Sequence, residues 1–581
     1  MEPRLLAVSL GAVGHRFKPS EHLFYKPEER TMAGDNASSR TRLPRTGEGS
    51  DPARPDYEVL IIGAGIAGSG VAIELTKHGI DSFALLERAD EVGGTWRDNR
   101  YPGIAVDITS FTYSYSFEQK PDWSRVFAPG SELQSYVRSV ATKYAIYPKV
   151  RFGVEVNEAS FDEDRHLWRV RLTSGERLAC RYLIGATGGL ITPKMPDIAG
   201  IETFAGKLIH PARWDDSYDL TGKRVAVIGT GATAVQLVPA IAPRLAHLDV
   251  YQRTPIWLLK KPDAEVPQWV KTTFRRLPPA QRALRLLTDV GTEAVMVCGA
   301  LYYQQAPGIV RWAERACRQN LLEQVPDDPE LRAKLTPGYD FGCKRPSFSN
   351  DYFRTFTRDN VSLVTDPIAC IEPEGVRTKD GVLRPVDVLI TATGYRVFEK
   401  GNIPSFQVFG RAGRELGEFW EQHRLQAYEG VSIPGFPNFF LTLGPYTFIA
   451  TSYFKTVEAA ANHIVRCIRE AHKKSADCVE VRRQANDRYF GMIQRRQKNT
   501  VFLGANCARS NSYYFDAHGD APMLRPMTSW EALWRSRHFP LNDYSYTALP
   551  PEADDGLAEG ARDSGRKRAS PSGRTAAAQA V

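Results

Sequence analysis

The sequence contains no Cys-x-x-Cys pair and no long apolar run. Its eight cysteines stand at positions 180, 298, 317, 343, 370, 467, 478 and 507, a spacing that gives zinc ribbons and dithiol redox motifs no support. The best candidate for a membrane span, Ala294 to Leu301, is far shorter than the roughly 18 apolar residues required. We therefore expect no metal site, no integral membrane segment and a reduced, cytoplasmic setting.

The sequence also lacks a dense block of charge of one sign. The 75 Lys and Arg residues exceed the 67 Asp and Glu residues by a net charge of +8, without a basic run of the kind that binds nucleic acid. We therefore expect no nucleic-acid partner. The modest excess suits an anionic cofactor, although net charge by itself does not identify one.

The chain has 581 residues, of which 42% are hydrophobic, and this length predicts two or three globular domains. Residues 1–56 are rich in Ser, Arg, Gly and Pro and lack periodicity, so they are predicted to form a disordered extension. They contain no convincing signal peptide, and translation could start at Met1 or Met32. Residues 549–581 are predicted to form a disordered tail.

A first nucleotide-binding unit follows at Tyr57. The apolar strand Glu58–Ile62 leads into Gly63, Gly65 and Gly68, which allow a tight turn, the approach of backbone amides to a pyrophosphate and close packing of the next helix. A second strand ends at Glu87, where a carboxylate can accept hydrogen bonds from ribose hydroxyls. This arrangement predicts dinucleotide binding.

The unit is repeated further along the chain with a different charge. Gly229 and Gly231 follow another apolar strand, and Arg253 stands as far from Gly229 as Glu87 stands from Gly63, with Thr254 beside it. An acid at this corner would repel a 2′-phosphate, whereas arginine binds it bidentately. The first unit is therefore predicted to bind FAD and the second NADPH; the alternative is that Arg253 is an ordinary surface arginine.

Two apolar segments ending in Ala-Thr-Gly, at residues 182–188 and 388–394, resemble the crossings between the domains of two-dinucleotide flavoproteins. This resemblance predicts an α/β fold with two Rossmann-like dinucleotide-binding domains, for FAD and NADP, and a helical insertion. The domain boundaries it implies are 57–193 and 382–548 for a split FAD domain, 194–381 for the NADP domain, and about 264–335 for the insertion.

A segment between the two fingerprints carries a family signature. Its residues fit the pattern Phe-x-Gly-x-x-x-His-x-x-x-Trp-Asp at Phe204, Gly206, His210, Trp214 and Asp215. The pattern resembles that of Baeyer–Villiger monooxygenases. Flavin monooxygenases that oxidise nitrogen or sulfur usually lack the Trp-Asp ending. The resemblance extends from about Tyr57 to Tyr546.

A second segment resembles another signature of the same family, Gly-x-Trp-x-x-x-x-Tyr-Pro-Gly-x-x-x-Asp. The matching residues are Gly94, Trp96, Tyr101, Pro102, Gly103 and Asp107. The family more often has Cys before the acid, where this chain has Val106. The resemblance implies cofactor contacts for Gly94, Thr95, Trp96 and Asp107 and a place for Asp107 in the active site; the alternative is an acid that stabilises a turn.

A third segment, Gly342-Cys-Lys-Arg345, resembles the one that carries the family's catalytic arginine. By that match Arg345 is catalytic and Lys344 faces the NADP phosphate. The segment Asn511–Phe515, with Gly519, loosely resembles a loop that closes over the substrate, but the usual Trp is absent.

The resemblance implies a monooxygenase that consumes NADPH, forms a C4a-peroxyflavin on FAD and inserts one oxygen atom of O2 beside a ketone carbonyl, giving an ester or lactone. Arg345 would stabilise the anion and Asp107 would orient that arginine. His210 and Trp214, on the interdomain link, would govern domain motion. The partners are then O2 and a small ketone, with an aldehyde or sulfide as alternatives.

Three other functions remain open from the sequence. An N- or S-oxygenating flavin monooxygenase would not need the Trp214-Asp215 ending or Arg345. A disulfide reductase needs a redox cysteine pair beside the flavin, and none is suitably spaced. A non-catalytic dinucleotide-binding module would need neither Asp107 nor Arg345. The ketone, the regioselectivity and the oligomeric state are not readable from the sequence.

Overall fold

The computed structural model describes residues 54–302, 304–305, 307–449, 451–504, 506–507, 510, 512, 514–516 and 518–550. The predictions of disordered ends and of a start at Met32 fall almost wholly outside these residues. Within them, the structure has no helix long and apolar enough to cross a membrane. It also has no cluster of His, Cys, Asp and Glu in that described part that could hold a metal ion.

The strands are short, and most of their residues are buried. Most belong to two parallel or mixed sheets, and the remainder form small ribbons. In chain order they are β1 Tyr57–Ile62, β2 Phe83–Glu87, β3 Val150–Phe152, β4 Val156–Asp162, β5 Leu167–Leu172, β6 Arg177–Gly185, β7 Lys207–Ile209, β8 Arg224–Ile228, β9 His247–Tyr251, β10 Leu258–Leu259, β11 Ser347–Phe348, β12 Val361–Val364, β13 Ile368–Glu372, β14 Gly375–Thr378, β15 Leu383–Pro385, β16 Val388–Thr391, β17 Gln407–Phe409, β18 Phe439–Leu441, β19 Cys478–Val481 and β20 Tyr544–Thr547.

The helices lie between and around these strands. Five of them follow one another between β10 and β11 and form the predicted helical insertion, which also contains a π-helical turn, Glu293–Val297. In chain order the helices are α1 Ile66–Lys77, α2 Thr95–Asp98, α3 Gly130–Lys143, α4 Ala232–Ile241, α5 Gln268–Arg276, α6 Pro278–Thr292, α7 Cys298–Leu301, α8 Pro307–Gln324, α9 Pro329–Leu335, α10 Tyr352–Thr355, α11 Leu416–His423, α12 Tyr453–Lys473, α13 Arg483–Gln497, α14 Val501–Gly504 and α15 Ser529–His538.

The first sheet has the order β17-β4-β5-β6-β1-β2-β3, and β18 also pairs with β6. Strand β1 lies in its interior and pairs in parallel with β2 and β6. Five of the six residues of β1 are buried, as expected for a parallel strand covered on both faces. Strand β1, helix α1 and strand β2 form the first predicted nucleotide-binding unit.

The second sheet is smaller and parallel, with the order β12-β9-β8-β16-β7. Strand β8 lies at its centre between β9 and β16, so β8, α4 and β9 repeat the arrangement of the first unit. By pairing, β16 belongs to this sheet, although it lies beyond the domain boundary predicted near residue 382. The fold class is confirmed. The domain boundaries stay predictions.

The helical insertion leaves and re-enters the second domain at one place. Strands β10 and β11 flank it in sequence and pair in parallel. The Tyr339–Pro346 segment directly precedes β11, so the pairing of β11 with β10 also fixes the position of this segment. Helices α5 and α6 also contact the first domain, since Arg275 pairs with Asp122 and Gln281 donates a hydrogen bond to the Lys120 carbonyl.

Candidate active site

The first glycine turn is held by backbone contacts that leave no room for side chains. Gly63 has a φ of +107°, and a Cβ there would stand 2.7 Å from the Ala186 carbonyl oxygen. A Cβ on Gly68 would stand 1.9 Å from the Gly63 carbonyl oxygen. Helix α1 can therefore reach this close position against β1 only with glycine at both places.

The N-termini of α1 and α4 fit a pyrophosphate. Gly65 and Gly231 precede these helices, neither terminus has a side-chain cap, and neither first turn contains an acid. The amides at both ends thus present their partial positive charge without competition from a carboxylate. Around Gly231 an added Cβ would meet no atom within 4 Å, so the backbone there is open to a ligand.

Glu87 ends β2 and is held firmly. One carboxylate oxygen accepts a hydrogen bond from the Ala64 amide at 2.9 Å, and the other accepts from the Ala89 amide and the Arg97 guanidinium, each at 3.0 Å. These three donors leave about one of the four acceptor positions of a carboxylate for a ribose hydroxyl. Arg97 is a site residue that no motif position marks, although it lies within the Gly94–Asp107 segment.

The corresponding corner of the second unit is cationic. Arg253 follows β9 and is exposed. Burial and, to a smaller extent, the charge of Arg253 lower the pKa of Lys344 to about 8. The structure thus brings together two cations that are far apart in sequence. A donor set of this kind fits the 2′-phosphate of NADPH. Next to them, the hydroxyl of Thr230 donates to the Thr254 carbonyl at 2.7 Å, which fixes the turn after β9.

The two Ala-Thr-Gly segments occupy equivalent positions in the two sheets. The first follows β6, and its Ala186 carbonyl faces Gly63. The second follows β16, and its Ala392 carbonyl lies 2.5 Å from the Cβ position of Gly229. Each segment therefore packs against the first glycine of a nucleotide turn. This shared contact is a physical reason why the two segments have the same Ala-Thr-Gly sequence.

The segment from Gly94 to Asp107 connects the two nucleotide units. The Tyr101 hydroxyl donates to the Gln236 side chain at 3.2 Å, and the Gln236 amide donates to the Ala105 carbonyl at 2.9 Å. Gly103 lies so close to α4 that an added Cβ would stand 2.5 Å from the Gln236 carbonyl oxygen. Gln236 is the one polar side chain in the apolar run Ala234–Val238, a signal that could have identified it.

At the end of this segment Asp107 meets Arg345. The guanidinium Nε and Nη2 donate to the two carboxylate oxygens at 2.8 and 2.9 Å, the bidentate geometry that fixes a guanidinium plane. These residues are separated by 238 positions, and the structure places them together as the resemblance implies. Burial lowers the pKa of Lys261, on which the charge of Asp107 also acts; Lys261 is a neighbour that no sequence motif marks.

Trp96 and Tyr113 lie close to the Asp107–Arg345 pair. Their rings meet edge to face with centroids 5.7 Å apart. Burial, the largest effect, raises the pKa of Tyr113 to about 12, and Asp107 and Arg345 act on it with opposite sign. Tyr113 therefore remains a neutral phenol at working pH and contributes no competing charge.

The signature segment Phe204–Asp215 follows the link from the first sheet and contains β7, the edge strand of the second sheet. The Nδ1 atom of His210 accepts from the Ala212 amide at 3.1 Å, so Nε2 carries the proton and donates to the Gly394 carbonyl at 3.1 Å. Burial lowers the pKa of His210, which favours this neutral form. His210 thus ties the second Ala-Thr-Gly segment to the link.

The other signature residues support this link without reaching the Asp107–Arg345 pair. Trp214 is buried in the core of the second domain. Asp215 accepts from Lys207 at 2.7 Å, and this bond is the largest cause that lowers its pKa to about 2. The ring of Phe204 packs so closely on Gly206 that a Cβ there would stand 2.6 Å away. These contacts are structural and lie within the second domain, so the predicted role in domain motion stays a prediction.

A disulfide lies directly beside the predicted catalytic arginine. Cys343 and Cys507 are bonded across 164 residues, which joins the Arg345 segment to the segment that follows α14. The cysteine spacing does not predict this bond, and it differs from the expectation of a reduced chain. Asn511 and Tyr513, in the predicted substrate loop, lie outside the described residues.

A small pocket opens where these segments meet. Its wall is mostly apolar, with Arg345 as the cation. The lining includes Phe341, Phe448, Phe502, Tyr514 and Leu524, together with Val295 and Ala300 from the helical insertion. Among the described residues, Arg345 therefore offers a fixed positive charge at the edge of an apolar cavity, the arrangement that stabilises a developing anion away from water.

The comparisons with known proteins agree with this geometry. Residues 60–295 match a family model described as pyridine nucleotide-disulphide oxidoreductase. A Baeyer–Villiger monooxygenase from Pseudomonas aeruginosa is 35% identical over 85% of this chain and 92% of its own length. Another from Streptomyces coelicolor is 34% identical over 87% of this chain and 96% of its own.

Solved structures give the same result. The structure of OTEMO in complex with FAD and NADP has a TM-score of 0.75 and 27% identity, covering 85% of this chain and 100% of its own. A cyclohexanone monooxygenase from Rhodococcus sp. Phi1 bound to NADP+ has a TM-score of 0.75 and 26% identity, covering 85% of this chain and 99% of its own. The chain therefore belongs to the Baeyer–Villiger monooxygenase family and is a flavin-dependent monooxygenase whose cofactors are FAD and NADPH.

Proposed function

We propose that this enzyme inserts one oxygen atom of O2 next to the carbonyl of an apolar ketone, giving an ester or lactone, and that Arg345, held in place by Asp107, stabilises the charge that develops during the insertion. The second oxygen atom leaves as water, with two electrons from NADPH. The observation that carries the proposal is the bidentate Asp107–Arg345 pair at the edge of the apolar pocket.

The chain's own residues have distinct tasks in this proposal. Gly63, Gly65, Gly68 and Glu87 hold FAD, while Gly229, Gly231, Arg253, Thr254 and Lys344 hold NADPH. The bound FAD and NADPH supply hydride transfer and the activation of dioxygen, which no side chain performs. Gly94, Thr95 and Trp96, in the segment that ends at Asp107, would contact the cofactor.

Arg345 stabilises the negative charge that develops on oxygen while the new carbon–oxygen bond forms. A guanidinium suits this task because it stays protonated at any working pH, even beside an apolar wall. Asp107 occupies its Nε and Nη2 edge and thereby fixes the plane of the charge. Asp107 is thus a positioning residue that acts through Arg345.

The pocket lining favours a ketone with an apolar body. Phe341, Phe448, Phe502 and Leu524 contribute rings and methyl groups around the cavity, and these gain free energy by excluding water from an apolar substrate. The carbonyl, as the polar group of such a substrate, would be directed to Arg345, the cation among the described lining residues. A ketone with a charged substituent should bind poorly.

The test compares products from wild type and Arg345→Ala with a panel of cyclic, linear and aryl ketones. We expect the variant to oxidise NADPH but to release hydrogen peroxide in place of ester. Arg345→Lys should rescue little, because an ammonium lacks the planar fork. Asp107→Ala should also divert oxygen to peroxide, but less completely. Normal ester yield from Arg345→Ala would overturn the assignment.

A second ion pair provides a matched control. Arg151 and Glu176 form a bidentate pair with side-chain exposures of 22% and 31%, equal to those of Arg345 and Asp107. Arg151 lies on β3 and Glu176 directly precedes β6, and neither residue lines the pocket. Arg151→Ala should therefore alter stability to a similar extent and leave the ratio of ester to peroxide unchanged. Parallel assays with an aryl alkyl sulfide distinguish the heteroatom-oxygenase alternative, for which sulfoxide formation would persist and wild type would make no ester.

A further inference from the structure

Helix α6 is turned with its polar side chains inward and its apolar side chains outward. Gln281, Arg285 and Asp289 recur every fourth residue and are buried, whereas Leu286, Leu287 and Val290 are exposed at 52%, 69% and 49%. An ordinary surface helix has the reverse arrangement. The solvent-exposed face of α6 is therefore apolar, and contact with water alone does not favour an apolar face.

The buried polar residues hold this orientation in place. Arg285 donates to the Ser114 hydroxyl at 2.9 Å and to the Ser114 carbonyl at 3.0 Å. Asp289 pairs with Lys455 of α12 at 3.0 Å. Because buried charges are costly unless they are paired, rotating α6 to hide its leucines would break these contacts. The exposure of the apolar face is thus a property of the fold.

Helix α15 adds tryptophans to the same surface. Trp530 and Trp534, one turn apart, are exposed at 50% and 61%. The two helices are adjacent, since the Lys455 ammonium that pairs with Asp289 also lies 5.8 Å from the Trp530 ring centroid. In addition, Glu293, just after α6, accepts from the Ser529 amide at 2.8 Å. We call the set Leu286, Leu287, Val290, Trp530 and Trp534 the outer apolar face.

The rim of the outer apolar face is basic. Arg276 at the end of α5, Arg282 near the start of α6 and Arg537 of α15 are exposed. The acids of these segments are engaged elsewhere: Asp289 with Lys455 and Glu531 with Arg496 at 2.7 Å. Exposed tryptophan and leucine bordered by arginine are typical of helices that lie in a membrane interface.

We propose that the outer apolar face docks this enzyme on an anionic lipid surface. The apolar side chains would enter the boundary between headgroups and acyl chains, and the arginines would contact lipid phosphates. A second copy of the chain fits less well, because two such faces would bring arginine rims of like charge together. The proposal does not depend on the proposed ketone chemistry.

The test is cosedimentation of the full-length holoenzyme with vesicles of phosphatidylcholine alone or of phosphatidylcholine mixed with phosphatidylglycerol. We expect binding to the anionic vesicles, with a blue shift of tryptophan emission, and loss of binding as salt is raised. Each charge removed by Arg276→Gln or Arg282→Gln should weaken the partition coefficient about fivefold. The double variant Leu287→Gln and Trp534→Gln should weaken it more than tenfold.

The controls separate docking from folding and catalysis. Leu287 and Trp534 are mostly exposed, so their replacement should leave flavin content and NADPH oxidation unchanged. Val382→Gln, at a residue 44% exposed on the β13–β15 ribbon, should bind vesicles like wild type. Failure of the wild type to bind anionic vesicles would overturn the proposal. So would full binding by the double variant, or a dimer in sedimentation velocity that the same double variant abolishes.

Discussion

The two nucleotide-binding units share a backbone design but differ in how tightly it closes. In both, a carbonyl of an Ala-Thr-Gly segment faces the first glycine, Gly63 or Gly229. The third position of the motif is Gly68 in one unit and the buried Ala234 in the other. Helix α1 thus lies closer to its turn than a methyl group permits, whereas α4 accommodates one.

The units also differ in charge at the end of the second strand. Glu87 is buried and accepts hydrogen bonds from three protein donors, whereas Arg253 is exposed and lies near Lys344. The backbone of both units suits a pyrophosphate, and so it does not distinguish the cofactors. We infer from this comparison that the side chain at the end of the second strand, Glu87 or Arg253, distinguishes a ribose hydroxyl from a 2′-phosphate.

The largest effect is expected for Gly68→Ala, which gives the first unit the alanine that the second unit has at this position. The added methyl group would overlap the Gly63 carbonyl, so the turn must move, at a cost of about 1–3 kcal/mol or more. We expect a protein that lacks flavin or is insoluble, as measured by absorbance and thermal unfolding. The reverse change, Ala234→Gly, should cost only about 1 kcal/mol and keep the flavin. A yellow Gly68→Ala protein with normal melting would contradict this comparison.

A smaller effect is expected for Arg253→Ala, which removes the charge difference and leaves the backbone intact. Loss of a charge-assisted contact costs roughly 1.5–3 kcal/mol, so the KM for NADPH should rise about tenfold to a hundredfold. The KM for NADH should barely change, and steady-state kinetics with both coenzymes measures this. If wild type uses the two coenzymes equally well, the assignment of the second unit is wrong.

The smallest effect is a pH dependence that comes from Lys344. Its pKa is lowered to about 8, so it is a cation below that pH and becomes neutral above it. The KM for NADPH should therefore rise several-fold from about pH 7 to about pH 9, while that for NADH stays level. Lys344→Arg should flatten the profile, because arginine keeps its charge. In Arg253→Ala the rise should move to higher pH, since the repulsion between the cations is removed.

Much of the fold was predictable because it depends on local signals. The strands and turns around Gly63 and Gly229 follow from apolar runs and glycine spacing, and the insertion follows from the absence of strand patterns. The pairing of Asp107 with Arg345 was predictable only through the family resemblance. No local property of the chain indicates a contact between segments so distant in sequence.

The remaining features depend on tertiary contacts. Gln236 is informative only once the Tyr101–Ala105 segment is seen to lie on α4. The Cys343–Cys507 bond requires two distant segments to meet beside the pocket. The inverted orientation of α6 is set by Ser114 and Lys455, which belong to the first domain, so the helix pattern alone would place its leucines inside. These are cases in which long-range contacts override local preference.

The most direct test of the enzyme's function is product analysis with oxygen-18 gas. Wild type, NADPH and the ketone panel should give an ester or lactone with one oxygen-18 atom, in equal amount to the NADPH consumed when coupling is complete. Arg345→Ala should consume NADPH and yield labelled hydrogen peroxide, while Arg151→Ala should behave as wild type. Unlabelled ester, or labelled ester at the wild-type yield from Arg345→Ala, would contradict the account.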